Sequence, residues 1–191
     1  MQNKDNSGIK KAAILLISLG PDISAQILRM LPDTMISATG LPSRVVAGQT
    51  TRQALHSQFE SASPFNGFNL ALHVGDDARH VQQQRIELLK ALQPFGVARL
   101  VWLAQTHTTD VQVVTASAHF LPVNADALVT RQLDVACMIM TADCLPIVLS
   151  NSDGSEVACI HAGWRGLLNG VIENTINSMQ SQAVYSWLGA A

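Results

Sequence analysis

The 191-residue chain is 48% hydrophobic and only 14% charged, with a formal net charge of −2, where soluble domains carry roughly 25% charged residues. The absence of a basic field argues against nucleic acid as a partner, and the thin polar surface favours self-association. The length fits one domain with a small appendage. Three cysteines, an odd number at irregular spacing, make no disulfide framework and point to a reducing, cytoplasmic compartment.

Lys10 and Lys11 precede an apolar run from Ala12 to Leu19. The run is far shorter than the ~20 residues of a membrane span. Asp5 lies where a signal peptide would be basic, and no small-x-small cleavage site follows Gly20-Pro21, so neither an anchor nor a signal peptide is expected. Ile14, Leu15, Ser18 and Leu19 would share one helical face, which Gly20-Pro21 breaks. Asp22 then opens a second helix with Ile23, Ile27, Leu28 and Leu31 inward, ended by Pro32. Residues 1–34 are therefore expected to form a helical hairpin appended to a main domain over 35–191.

From Met35 on, strands alternate with helices. Arg44 to Ala47 reads as a short strand, Gln53 to Asn66 as a polar loop and Leu70 to Val74 as a strand. Asp76-Asp77 can cap a helix that runs to about Leu92, with Val81, Ile86, Leu88, Leu89 and Leu92 inward. Leu100 to Leu103 and Val111 to Val114 read as strands. Leu133 to Met140, Leu145 to Leu149 and Val157 to Ile160 are nearly continuous apolar runs, as in strands covered on both faces. A last helix from about Trp164 to Met179 would bury Leu167, Leu168, Val171, Ile172, Ile176 and Met179.

Chemistry concentrates in Thr141-Ala142-Asp143-Cys144 and His161-Ala162-Gly163-Trp164-Arg165-Gly166. Cys137 and Cys159 lie inside apolar runs and read as packing. Cys144 differs: Asp143 adjoins it, and Leu145-Pro146 marks a bulge or strand edge. The two glycines after His161 either let a helix pack closely or, with Arg165, form an anion-binding helix start. His73 lies upstream, before Gly75-Asp76-Asp77. Two histidines and one cysteine suit a metal with one open position, the layout of catalytic zinc. Without metal, Cys144 as nucleophile and His161 as base would make a cysteine hydrolase. His107, near a strand end, is a substrate contact. His56, His80 and His119 receive no role.

Six stretches carry a family resemblance: Asn69 to Asp77, Trp102 to His107, Ala125 to Thr130, Thr141 to Pro146, His161 to Gly166 and Trp187-Leu188-Gly189. In this order and spacing they resemble the bacterial YfiH-type family, also called laccase-domain or polyphenol-oxidase proteins and peptidoglycan editing factors, over about residues 37–191. The resemblance implies an α+β fold with two mixed β-sheets packed together and helices outside. It implies one zinc on His73, Cys144 and His161. It also implies purine nucleoside chemistry, namely phosphorolysis of adenosine, inosine and methylthioadenosine together with adenosine deamination. Some members instead hydrolyse an amide of L-serine in a cell-wall precursor. On this reading Arg165 and Arg52 hold phosphate, Gln105 and His107 touch the substrate, and Asp143 or His107 shuttles the proton. A four-copper laccase is the weaker choice, because six histidines without a His-x-His pair supply too few imidazoles. Gly8 to Gly20 resembles the start of the flagellar motor switch protein of the rotor ring.

The chain departs from the family pattern at Thr108, where a glycine is usual, at Thr50-Thr51-Arg52-Gln53, in place of a Ser-Thr-Arg-x-Gly-Gly loop, and at Gln84, where an asparagine is usual. It stops at Ala191, where the family continues, so an inactive fused or truncated product is a further expectation.

Overall fold

The computed structural model describes residues 12–18, 35–51, 67–116 and 121–190, with a few positions between 55 and 65. Among the described residues, eleven strands and three α-helices follow one another. They are β1 Ala12–Ser18, β2 Met35–Ser37, β3 Val45–Thr50, α1 Ala78–Leu92, β4 Arg99–Ala104, β5 Val111–Val114, β6 Val123–Asn124 and β7 Ala127–Thr130. After them come β8 Val135–Thr141, β9 Leu145–Ser150, β10 Val157–Ala162, α2 Trp164–Asn169, α3 Val171–Ser178 and β11 Tyr185–Leu188.

The strands form a six-stranded sheet, in the order β2-β3-β1-β8-β4-β6, and a five-stranded sheet, in the order β11-β9-β10-β7-β5. In the first, β1 runs antiparallel to β3 and β8, while β4 runs parallel to β8. In the second, β10 runs antiparallel to β7 and β9, and β5 runs parallel to β7. The fold is thus α+β, with two sheets and flanking helices.

Side-chain alternation explains the layering. Val135, Cys137 and Ile139 of β8 meet Val157 and Cys159 of β10 in one buried cluster, together with Leu103, Leu128 and Val148. The intervening Ala136 and Met138 face the other way, onto Leu88 and Leu92 of α1. Ala158, Ile160 and Ala162 likewise turn outward beneath Val171 of α3. Each inner strand is covered on both faces, which is why its sequence is apolar without interruption.

Several expectations need correction. Ala12–Ser18 is a strand inside the larger sheet, so Ile14, Leu15 and Ser18 share no helical face. An unbroken apolar run has no period by which to tell helix from strand. The proposed second helix, from Asp22 to Leu31, lies outside the described residues. Leu70 to Val74 is a turn region rather than a strand, because the Asn69 side chain closes it: its Oδ1 accepts the Ala71 N–H at 3.0 Å. The last helix breaks at Gly170, whose φ of +94° places it in the left-handed region. The break rotates the apolar stripe, leaving Leu167, Leu168 and Ile176 exposed while Val171 and Met179 are buried. Leu133 precedes β8 and is exposed, and Ile86 of α1 is exposed while Gln84 is buried.

Candidate metal centre

The inward alternation of the core continues past the strand ends into polar residues. On β10, Val157 and Cys159 point between the sheets, and two residues further the same face presents His161. On β7, Leu128 points inward, and two residues earlier the same face carries Asp126. The antiparallel register pairs Cys159 with Leu128 and so brings His161 opposite Asp126. The His161 N–H donates to the Asp126 carbonyl at 2.8 Å. Between the side chains, His161 Nδ1 lies 2.7 Å from Asp126 Oδ1, and both residues are buried.

The other Asp126 oxygen holds a turn. Its Oδ2 accepts the N–H of Thr108 at 2.6 Å, the hydroxyl of Thr108 at 2.9 Å and the N–H of Thr106 at 3.2 Å. Burial pushes this carboxyl up, but the bonds from His161 and Thr108 outweigh it and bring it down to about 2. Between the two threonines His107 has a φ of +60°, and it is the one non-glycine in the left-handed region among the described residues. Its ring stands edge-on to that of His161 with centroids 4.7 Å apart.

Cys144 begins at the bend before β9. Its Sγ lies 3.7 Å from His107 Nε2 and 3.8 Å from Asp143 Oδ1. Burial and the neighbouring Asp143 carboxylate push this thiol up. Donor atoms of His107, Cys144 and His161 all lie within 4.8 Å of one another, the single such group among the described residues. Gly163 makes this possible by its size. A Cβ there would sit 2.8 Å from His107 Cδ2 and 3.1 Å from Cys144 Sγ.

These residues line a cavity of about 320 Å³, shared with His73, Gln105, Met140, Thr141, Ala142 and Asp143. His73 sits on the exposed turn after Asn69. The turn is tied to α1 by Arg85, whose Nε donates to the Leu70 carbonyl at 2.8 Å and whose guanidinium stacks 3.9 Å from the Trp102 ring. Burial lowers Arg85 to about 10, which leaves it a cation at neutral pH.

Of the residues expected from sequence, His73, Gln105, His107, Asp143, Cys144 and His161 meet in this one cavity. Gln105 is there as a brace: its amide donates to the Met140 carbonyl at 2.7 Å and accepts the Met140 N–H at 2.8 Å. Arg165 sits on α2 with its guanidinium 4.5 Å from the Trp164 ring, outside the cavity lining. Arg52 lies outside the described residues. Sequence reasoning gave Asp126 no task, although its parity with Leu128 and its place in Ala125-Asp126-Ala127 were readable. It also did not anticipate that His107 would join the closest donor group.

Two imidazoles and a thiol converging at a partly open cavity are a donor set that takes zinc, and one that copper also accepts. The pattern of the multi-copper polyphenol oxidoreductase laccase family matches residues 46–191. The chain belongs to this family. Its relatives include a purine nucleoside phosphorylase of Haemophilus influenzae, 38% identical over 154 residues, which cover 79% of this chain and 59% of the relative. A purine nucleoside phosphorylase of Pseudomonas aeruginosa is 42% identical over 152 residues, covering 78% and 58%. Among solved structures, a Neisseria meningitidis protein superposes with a TM-score of 0.72 at 35% identity, covering 82% of this chain and 62% of that one. YlmD from Geobacillus stearothermophilus gives 0.69 at 31%, covering 84% and 66%. The chain thus spans about three fifths of the length of the curated relatives it matches. Residues 6–41 match the FliG N-terminal domain. No helix among the described residues is long and apolar enough to cross a membrane.

Proposed function

We propose that this laccase-domain chain is a zinc-dependent enzyme of purine nucleosides that carries out phosphorolysis of adenosine, inosine or methylthioadenosine and deamination of adenosine. The observation that carries the proposal is the convergence of His107, Cys144 and His161 on the lining of a cavity that also contains His73. The names of the Haemophilus and Pseudomonas relatives support the substrate class.

Cys144, His161 and His73 would hold the ion, with His107 beside it as the substrate-facing imidazole. When bound, zinc supplies a Lewis acid and a means of generating a nucleophile at neutral pH. His161 offers Nε2 to the cavity, because Nδ1 is committed to Asp126. Asp143 and His107 line the cavity where a purine would lie, and they would deliver the proton that the departing base needs. Arg165 would leave Trp164 to meet phosphate, and Arg52 would join it. The cavity of about 320 Å³ is at the lower end of the range of small-molecule sites.

The test combines metal analysis of the purified protein with incubation of inosine or adenosine and phosphate, watching for free base. One equivalent of zinc and release of hypoxanthine or adenine is the expected result. A zinc-replete protein that releases neither base nor ammonia from any nucleoside would overturn the nucleoside reading in favour of the cell-wall amide hydrolase. Metal content of His73→Ala and His107→Ala decides the third ligand. Loss in the first and retention in the second is expected, and the reverse would exchange their roles.

A further inference from the structure

We infer that Asp126 is a positioning residue that sets both imidazoles of the inner cavity wall at once: one oxygen fixes the tautomer of His161 and the other fixes the turn that carries His107. Asp126 is itself neither a lining residue of the cavity nor one of the three donors; it reaches the site through its contact with His161 and through the turn that carries His107.

The division of labour is visible in the hydrogen bonds. Oδ1 faces His161 Nδ1 at 2.7 Å. A carboxylate can only accept, so in the neutral ring Nδ1 bears the proton and Nε2 keeps its lone pair. Oδ2 gathers three donors from Thr106 and Thr108, on either side of His107. A left-handed backbone at a non-glycine residue persists only where its surroundings impose it, and here the imposition comes from those three bonds. The Thr108 hydroxyl supplies one of the three bonds, so in this chain the turn is fixed by a side-chain contact that glycine cannot make.

The zinc part of the inference rests on the metal reading above, whereas the tautomer part does not. Long-range ¹H–¹⁵N spectra of the imidazoles in the metal-free 191-residue chain, with the His161 signal identified by its loss in His161→Gln, report which nitrogen carries the proton. The Nδ1–H form is expected, and an Nε2–H ring in the parent protein would overturn the proposal without requiring any variant of Asp126 to fold. In Asp126→Asn, which keeps the size of the side chain, the ring should populate both tautomers. Competition of Zn²⁺ against a chromophoric chelator should then give an affinity about 10–100-fold weaker than the parent's. A folded Asp126→Asn protein with the parent's affinity and a pure Nδ1–H ring would overturn the proposal. A parent chain that binds no zinc yet has the Nδ1–H ring would remove the metal reading and leave the role of Asp126 on His161 supported.

Discussion

His161 and His73 border the same cavity but are secured in opposite ways. His161 is only 4% exposed, ends an inner strand and is paired with a buried carboxylate. His73 is exposed on a turn that depends on Asn69 and on a guanidinium reaching over from α1. One imidazole is part of the core, and the other is attached to it. The site therefore combines an imidazole set in the core with one presented on a braced surface turn.

The strongest way to break this comparison is His161→Ala. Removing one partner of a buried pair leaves Asp126 without its largest compensation, so the protein should lose about 3 kcal/mol of stability in denaturant unfolding as well as its metal. Stability equal to the parent's would mean that the two histidines are held alike. Gly163→Ala presses on the donor group itself. Its Cβ would overlap His107 and crowd Cys144, and overpacking of about 1–3 kcal/mol with a roughly tenfold loss of zinc affinity is expected in melting and chelator competition.

A buried carboxylate remote from the cavity provides a control. Glu156 accepts the N–H groups of Gln180 and Ser181 at 3.0 and 2.8 Å and pairs with Arg131 and the Ser181 hydroxyl. Burial pushes it up, but these donors outweigh burial and hold it below the usual carboxylate range. A carboxyl lowered by folding stabilises the native state above its unfolded value of about 4.3, and that contribution fades as pH falls through the folded value. Acid titration of stability should show a smaller loss in Glu156→Gln than in the parent, since Asp126 keeps its own acid-sensitive share, and at neutral pH the variant should already be weaker by about 1–3 kcal/mol. The smallest structural effect belongs to His73→Ala. Its stability should stay within about 0.5 kcal/mol of the parent's while zinc is lost, as measured by unfolding and metal analysis on the same sample.

How much of this was legible in the sequence depended on whether a segment carried its own period or turn chemistry. Helix α1 was readable because Asp77 caps it and Val81, Leu88 and Leu92 recur on one side. Strands β8, β9 and β10 were readable as apolar runs of strand length between turns. Strand β1 was not, since Ala12 to Ser18 is just as apolar and only its neighbours decide its state. The gathering of Cys144, His161 and His73 in one cavity was anticipated from residue type and family pattern. The entry of His107 into the closest donor group was not, because it depends on a positive φ imposed by Asp126, eighteen positions away from Thr108.

Gln105 was read as a substrate contact, yet its carboxamide grips Met140 at both the N–H and the carbonyl. The backbone ladder between β4 and β8 has its last partners at Trp102 and Met138. The side chain thus acts as a surrogate peptide unit, adding a rung where the main chain has already swung away. Glutamate in its place would keep the reach but present an acceptor to the Met140 carbonyl, and that one rung beside the cavity would be lost.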